Sequence, residues 1–202
     1  MLFRSSFVHL VSQWKRKLTN EHIISLIQEM FSIFEAYKQN GMMNGNIRPQ
    51  TLLIGKDEKD SGHIFLNGFS NFKLDNEQDT TAFSILKNCG KHGYPLYMAP
   101  EQISHNQVDL RADYFSFASL LHELTAGKNL FYSSENLESL RKLSGWKIPQ
   151  TWNISESYKW LLPLFEAFLQ PNPQDRDVDL KQLLSQLIEN YNQAGMEEGE
   201  EI

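Results

Sequence analysis

Residues 43–54 read M-N-G-N-I-R-P-Q-T-L-L-I, and the prediction of the fold begins at this stretch. Its first part is polar and contains a glycine and a proline, which is typical of a loop. Its end, Leu52–Ile54, is apolar and predicts a short strand. The polar, glycine-bounded residues 55–62 then predict a hairpin that leads to a second strand at His63–Leu66.

Most of the remaining chain shows helical patterning. Apolar side chains recur at helical spacing before the loop, where Thr19 or Asn20 is a candidate N-cap and Asn40-Gly41 a candidate helix end. The polar residues 74–92 predict a mobile connecting segment instead. The pattern predicts helices near 5–17, 20–39, 111–126, 135–143, 156–169 and 177–191.

Three further motifs follow the first stretch in the chain. Residues 93–103 read G-Y-P-L-Y-M-A-P-E-Q-I, residues 111–118 read R-A-D-Y-F-S-F-A and residues 169–176 read L-Q-P-N-P-Q-D-R. Together with residues 43–54, they resemble four motifs of the protein kinase family in the family's order: H-R-D-L-K-P-E-N-L-L, G-T-P-x-Y-M-A-P-E-Q-I, K-A-D-x-W-S-x-G and L-x-x-D-P-x-x-R. The resemblance covers nearly the whole chain. It implies a mainly α fold with a short β-hairpin region, namely the large lobe of a protein kinase.

The resemblance also implies that the catalytic and metal-binding residues of the family are replaced in this chain. Asn46 stands where the family has the catalytic Asp, and an amide has no useful basicity. Gly68 stands where the family has the metal-binding Asp, and it offers no oxygen ligand to Mg²⁺. Arg48 replaces a phosphate-contacting Lys and still suits an anion. The degenerate positions are Asn44, Asn46, Arg48, Thr51 and Gly68.

The family's nucleotide-binding small lobe has no counterpart in the sequence. The chain starts near the first helix of the large lobe, and no G-x-G-x-x-G motif occurs in it. We therefore expect a lobe that lacks the N-terminal β lobe, either free-standing or as a piece of a longer protein, and Met1 favours the former. With base, metal ligands and small lobe all absent, we expect no enzyme activity, no bound ATP, no metal and no cofactor.

The resemblance assigns structural roles to other residues. Glu101 and Arg176 match a family pair that forms a buried ion pair, and Asp113 matches an Asp that accepts hydrogen bonds from the catalytic-loop backbone. Tyr94 replaces a Thr at the substrate entrance, which its ring is expected to fill in part. The resemblance places the large lobe at residues 1–192, followed by an acidic, disordered tail at 193–202.

Composition excludes several classes of protein. The chain has 202 residues, and its 41% hydrophobic content is ordinary for a globular protein. Its net charge of −6 argues against binding to nucleic acid or to an anionic membrane, because both favour basic surfaces. Its single cysteine, Cys89, suits a reducing intracellular compartment, and we expect a location on the cytoplasmic side with no membrane insertion. The Cys89-x-x-His92 spacing is only half of a zinc site, with His105 as the nearest further ligand.

Three functions are compatible with these features. The first is a pseudokinase that serves as a structural or interaction subunit of a larger protein assembly. Its partner would cover surface near Leu52, Phe65 and Phe69 that the missing lobe leaves exposed. The second is a regulatory pseudokinase that docks onto an active kinase or its substrate through the region from residue 135 to Trp152. The third is an enzyme with residual nucleotide chemistry.

Trp146, Trp152 and Trp160 suggest core packing more than a peptide-binding patch.

Overall fold

The computed structural model describes residues 5–6, 19–56, 62–66, 73–74, 95–104, 108–133 and 142–200. The protein is mostly helical with two small antiparallel sheets, so the predicted fold class is confirmed in outline. Within these residues, no helix combines the length and the apolar character needed to cross a bilayer. Several residues to which the sequence assigned a role lie outside the described part of the chain, namely Gly68, Phe69, Cys89, His92, Tyr94 and His105.

The first helix follows the predicted signals. Helix α1 spans Asn20–Gln39, and Thr19 caps it by accepting a hydrogen bond from the His22 N–H. Its apolar stripe is buried, and the helix ends at Asn40, as the sequence predicts. The Glu29 carboxylate on this helix accepts a hydrogen bond from the Ile64 N–H, which ties α1 to the hairpin.

The strands are longer and more numerous than predicted. Strands β1 (Ser5–Ser6), β3 (Leu52–Lys56) and β4 (Gly62–Leu66) form one sheet in the order β1-β3-β4. Leu53 faces Phe65 across its hairpin. Strands β2 (Met42–Met43) and β5 (Lys73–Leu74) form the other sheet.

The prediction of a helix from residue 5 is wrong at its start, because Ser5 and Ser6 pair with Ile54 and Leu53. Backbone pairing with a distant strand outweighs local helical spacing at these two residues. Residues 7–17 of that predicted helix lie outside the described part of the chain.

The centre of the protein is a helix that is buried all round. The short helix α2 (Pro100–Ile103) precedes α3 (Arg111–Ala126), which begins and ends where the sequence predicts. Every residue of α3 from Ala112 to His122 is buried. A helix buried on all sides must be surrounded by other elements, so α3 supports both the loop at its N-terminal end and the helices that follow.

The last elements begin later than predicted. Residues 156–169 start as a 3-10 helix at Glu156–Leu161 and continue as α4 (Leu162–Phe168). A further 3-10 turn at Pro173–Arg176 precedes α5 (Leu180–Glu200). Helix α5 continues through residues 193–200, which the sequence assigned to an acidic tail, because glutamate-rich sequence is compatible with helix. Of the predicted helix at 135–143, residues 142 and 143 are helical and the others lie outside the described residues.

The tryptophans at positions 146, 152 and 160 pack within the protein. Trp160 is buried, and the Trp146 indole N–H donates to the Leu169 carbonyl at 2.7 Å. The Trp152 ring lies 5.5 Å from that of Phe165 and 5.9 Å from the buried His122 imidazole. These contacts favour core packing over a peptide-binding patch.

Candidate functional site

The loop of residues 44–51 lies directly over the N-terminal turn of α3. The Asp113 carboxylate accepts the Asn44 N–H at 2.7 Å and the Gly45 N–H at 2.8 Å. Gly45 has φ +70°, a left-handed conformation that glycine adopts at little cost. Burial raises the pKa of Asp113 to about 7, although the two N–H donors favour the ionised form and act against this rise.

The loop also closes on itself. The Asn44 side-chain oxygen accepts the Asn46 N–H at 3.1 Å. The Thr51 hydroxyl accepts the Arg48 N–H at 3.0 Å, and it lies 2.8 Å from the Asn46 carbonyl oxygen, to which it donates. Asn44 and Thr51 are both buried. Asn44 and Thr51, which stand at catalytic-loop positions of the family, therefore hold the backbone of the loop.

This arrangement decides how well the loop fits a magnesium ion. A ligand oxygen must point into open space toward the metal. The Thr51 oxygen is instead buried and bonded to the loop backbone, so it does not fit a metal ligand. Gly68 lies outside the described residues. Among the residues that the structure describes, His, Cys, Asp and Glu form no group of three or more that would hold a metal ion.

Gln102 also contributes to this site, although the sequence had indicated no role for this residue. It lies on α2 and is buried. Its side-chain oxygen accepts the Ala99 N–H at 2.8 Å, and its amide donates to the Gly45 carbonyl at 3.1 Å. Gln102 thus joins the loop to the A-P-E motif at residues 99–101. The sequence signal for this role was a polar side chain inside a motif that is otherwise buried, because a buried polar group needs a hydrogen-bond partner.

A buried ion pair holds α2 to the turn at Pro173–Arg176. The Arg176 guanidinium donates to the two Glu101 carboxylate oxygens at 2.6 and 3.0 Å, and both side chains are almost fully buried. Arg176 also donates to the backbone carbonyls of Gln170, Arg111 and Pro171. Its guanidinium carbon lies 4.8 Å from the centre of the Phe115 ring. The pair connects four segments of the chain at one point.

The surface that we expected a partner to cover is only partly present. Leu52 is fully buried within the main hydrophobic core, so its expected exposure is wrong. The reason is that β3 packs this side chain inward beneath the hairpin. Phe65 is partly buried, and Phe69 lies outside the described residues. The only large hydrophobic side chain that is exposed among the described residues is that of Tyr132.

Comparisons with known proteins identify relatives of this chain. The family model described as "Protein kinase domain" matches residues 4–193. The chain is 27% identical over 174 residues to "Serine/threonine-protein kinase ATG1" of Debaryomyces hansenii, covering 76% of this chain and 18% of that protein. It is 29% identical over 176 residues to "RAC family serine/threonine-protein kinase homolog" of Dictyostelium discoideum, covering 86% of this chain and 36% of that protein.

A bacterial relative shows the same pattern. The chain is 28% identical over 110 residues to "Serine/threonine-protein kinase PknH" of Mycobacterium tuberculosis, covering 54% of this chain and 16% of that protein. The chain therefore spans well under two thirds of the length of these curated relatives.

These findings overturn the prediction that the chain is not an enzyme. The family match and the serine/threonine kinase relatives point to a protein kinase enzyme, at modest identity. The prediction rested on single positions of the sequence, whereas the family model matches residues 4–193 as a whole. It also used the position of residue 1, which does not decide whether a nucleotide-binding lobe belongs to the protein.

Proposed function

Because this chain belongs to the protein kinase family, we propose that its lobe acts through protein contacts, as an interaction subunit of a larger assembly. In this role the loop of residues 44–51 is a fixed part of the scaffold. The observation that supports the proposal is the set of hydrogen bonds by which Asp113, Gln102 and Thr51 hold the loop backbone. A lobe held in this way presents its outer surface in one conformation, which lowers the cost of binding a partner.

The roles of the individual loop residues follow from the same contacts. Asn44 and Thr51 shape the loop, and Asn46 contributes its backbone N–H and carbonyl to it. Arg48 is partly buried, and its backbone N–H and carbonyl both lie within hydrogen-bonding distance of the Thr51 hydroxyl. In this proposal Glu101, Arg176 and Asp113 maintain the lobe that the partner recognises.

The test compares the size of the native particle with that of the chain alone. The tagged chain is isolated from cells that express it and examined by size-exclusion chromatography with light scattering. We expect a particle well above the 23.5 kDa of the chain, with a second protein in fixed stoichiometry. A partner that is itself an active kinase would favour the regulatory form of the proposal. A folded chain that elutes alone at 23.5 kDa would contradict it.

Two variants separate the scaffold from loop chemistry. Asp113→Asn removes one acceptor of the loop, so we expect weaker association with the partner. Asn46→Ala keeps the backbone bonds of residue 46, so we expect unchanged association. Phosphate transfer from radiolabelled ATP is measured in the same preparations. Transfer by the assembly would show kinase activity beside the protein contacts, whereas association that Asp113→Asn leaves unchanged would overturn the proposal.

A further inference from the structure

A cavity of about 240 Å³ lies between the end of α1 and the start of α3. The side chain of Tyr37, which lines it, is hydrogen-bonded to that of Asn44 in the loop. Its apolar lining comes from Tyr37, Met42, Leu110 and Tyr114. Charged side chains from residues 38, 109, 111 and 177 also line it. Drug-sized ligands usually occupy about 300–1,000 Å³, so a cavity of this size suits a small group.

The two tyrosines are held in place by the core. Tyr114 is buried, and its ring stacks on Phe168 at 4.7 Å and lies 4.9 Å from Phe34. Tyr37 projects from the last turn of α1 and is nearly buried. Aromatic rings fixed in this way are preformed walls of the cavity.

The electrostatic surroundings of the tyrosines favour a cation. Burial raises the pKa of both hydroxyl groups, and nearby carboxylates raise it further. Asp113 acts in this way on Tyr37. The carboxylates that act on Tyr114 are Glu35, Asp177, Asp113 and Asp109. The hydroxyls therefore stay protonated, and the Asp109 and Asp177 carboxylates place negative charge at the cavity, where Lys38 and Arg111 face them.

The two charged pairs at the cavity differ in strength. The Arg111 Nε lies 3.0 Å from both carboxylate oxygens of Asp109, so this pair is tightly closed. Lys38 Nζ lies 3.8 Å from the Asp177 carboxylate, and the two side chains are 54% and 72% exposed. An exposed pair at that distance contributes little, so Asp177 can exchange Lys38 for another cation.

We propose that this cavity binds a primary ammonium group on a short aliphatic stem, with Asp177 as its counter-ion and the Tyr37 and Tyr114 rings as its walls. The ammonium takes the place of Lys38 beside Asp177. The stem lies against the apolar side chains of Met42 and Leu110. A free amine and the side chain of a partner's lysine share this chemistry.

The test is a titration of the full 202-residue chain with n-butylammonium chloride, followed by ¹H–¹⁵N NMR at constant ionic strength. We expect saturable shifts in the backbone amides of residues 37–42 and 109–114. The control ligand is n-butanol, which has the same stem and no charge and is expected to bind more weakly. Nα-acetyl-lysine-N-methylamide, titrated separately, shows whether a peptide lysine also enters or only a free amine does.

Substitutions at the rim give effects of opposite sign. Asp177→Asn removes the counter-ion, and we expect affinity for n-butylammonium to fall about two- to fivefold, as for an exposed ion pair. Lys38→Met removes the competing cation, and we expect affinity to rise. Asp175→Asn is the matched control, because it makes the same charge change on an exposed residue that does not line the cavity.

Three results would overturn the proposal. The first is shifts spread over the whole surface without saturation, which would indicate general attraction to an acidic protein. The second is equal loss of affinity in Asp177→Asn and Asp175→Asn. The third is weaker binding in Lys38→Met, because a loss of affinity in both rim variants would indicate damage to the cavity and not exchange of a counter-ion.

Discussion

Glu101→Gln isolates the energetic role of the buried ion pair. The substitution keeps the size of the side chain but removes its charge, and it turns an NH₂ group toward a guanidinium that is itself fully buried. Arg176 would keep its carbonyl partners and lose the carboxylate to which it is hydrogen-bonded. Removing one partner of a buried pair costs about 3–5 kcal/mol. That is a large share of the roughly 5–15 kcal/mol that stabilises a domain.

Urea unfolding followed by tryptophan fluorescence measures this cost. With a slope of about 3 kcal/mol per M, the unfolding midpoint falls by about 1 to 1.7 M. The matched control is Glu156→Gln. The carboxylate of Glu156 lies 2.6 Å from Lys159 Nζ, the same separation as in the buried pair, but these side chains are 83% and 52% exposed. We expect the control to change the free energy of unfolding by less than about 1 kcal/mol.

Equal effects of the two substitutions would refute the reasoning, because the larger cost is expected from the burial of the Glu101–Arg176 pair. The double variant Glu101→Leu/Arg176→Met provides a second check. Replacing both charges by apolar groups avoids an unpaired buried ion, so the double variant should be more stable than Glu101→Gln alone. A double variant that is less stable would show that the carbonyl contacts of Arg176, and not its charge, carry the stabilisation.

Three further substitutions test other parts of the structure. Burial lowers the pKa of His122 to about 4, so only the unfolded chain gains a proton as the pH falls from about 6.5. The advantage of the wild type over His122→Phe should therefore shrink by up to about 3 kcal/mol between pH 6.5 and 4 in denaturant titrations. Asp113→Asn leaves the N–H of Asn44 or Gly45 without its acceptor, which costs about 1–3 kcal/mol and speeds hydrogen exchange at these amides. Gly127 has φ +73°, and apart from its chain neighbours no atom of the described residues lies within 4 Å of the position that a Cβ would occupy there. Gly127→Ala should therefore lower stability by about 1–2 kcal/mol from backbone strain alone, measured by thermal unfolding.

Local sequence determined the elements whose signals come from neighbouring residues. The cap at Thr19 and the apolar stripe behind it predict α1, and its observed bounds are Asn20–Gln39. The apolar residues 52–54 and the polar, glycine-bounded residues 55–62 predict the hairpin of β3 and β4. The family resemblance, and not a local signal, indicated Arg176 as the partner of Glu101, and the structure places the two in contact. For α1 and the hairpin, the information lies within a few residues.

Tertiary structure alone decided the features that join distant residues. Asn44 and Asp113 lie 69 positions apart, so no local signal predicts their hydrogen bond; the family resemblance suggested it, and the packing of α3 under the loop makes it. Leu52 looked exposed in a lobe without its partner lobe, yet the hairpin turns it into the core. The cavity beside Tyr114 exists only because α1 and α3 meet there. Residue order specifies which groups are available, and the packing of buried helices decides which of them meet.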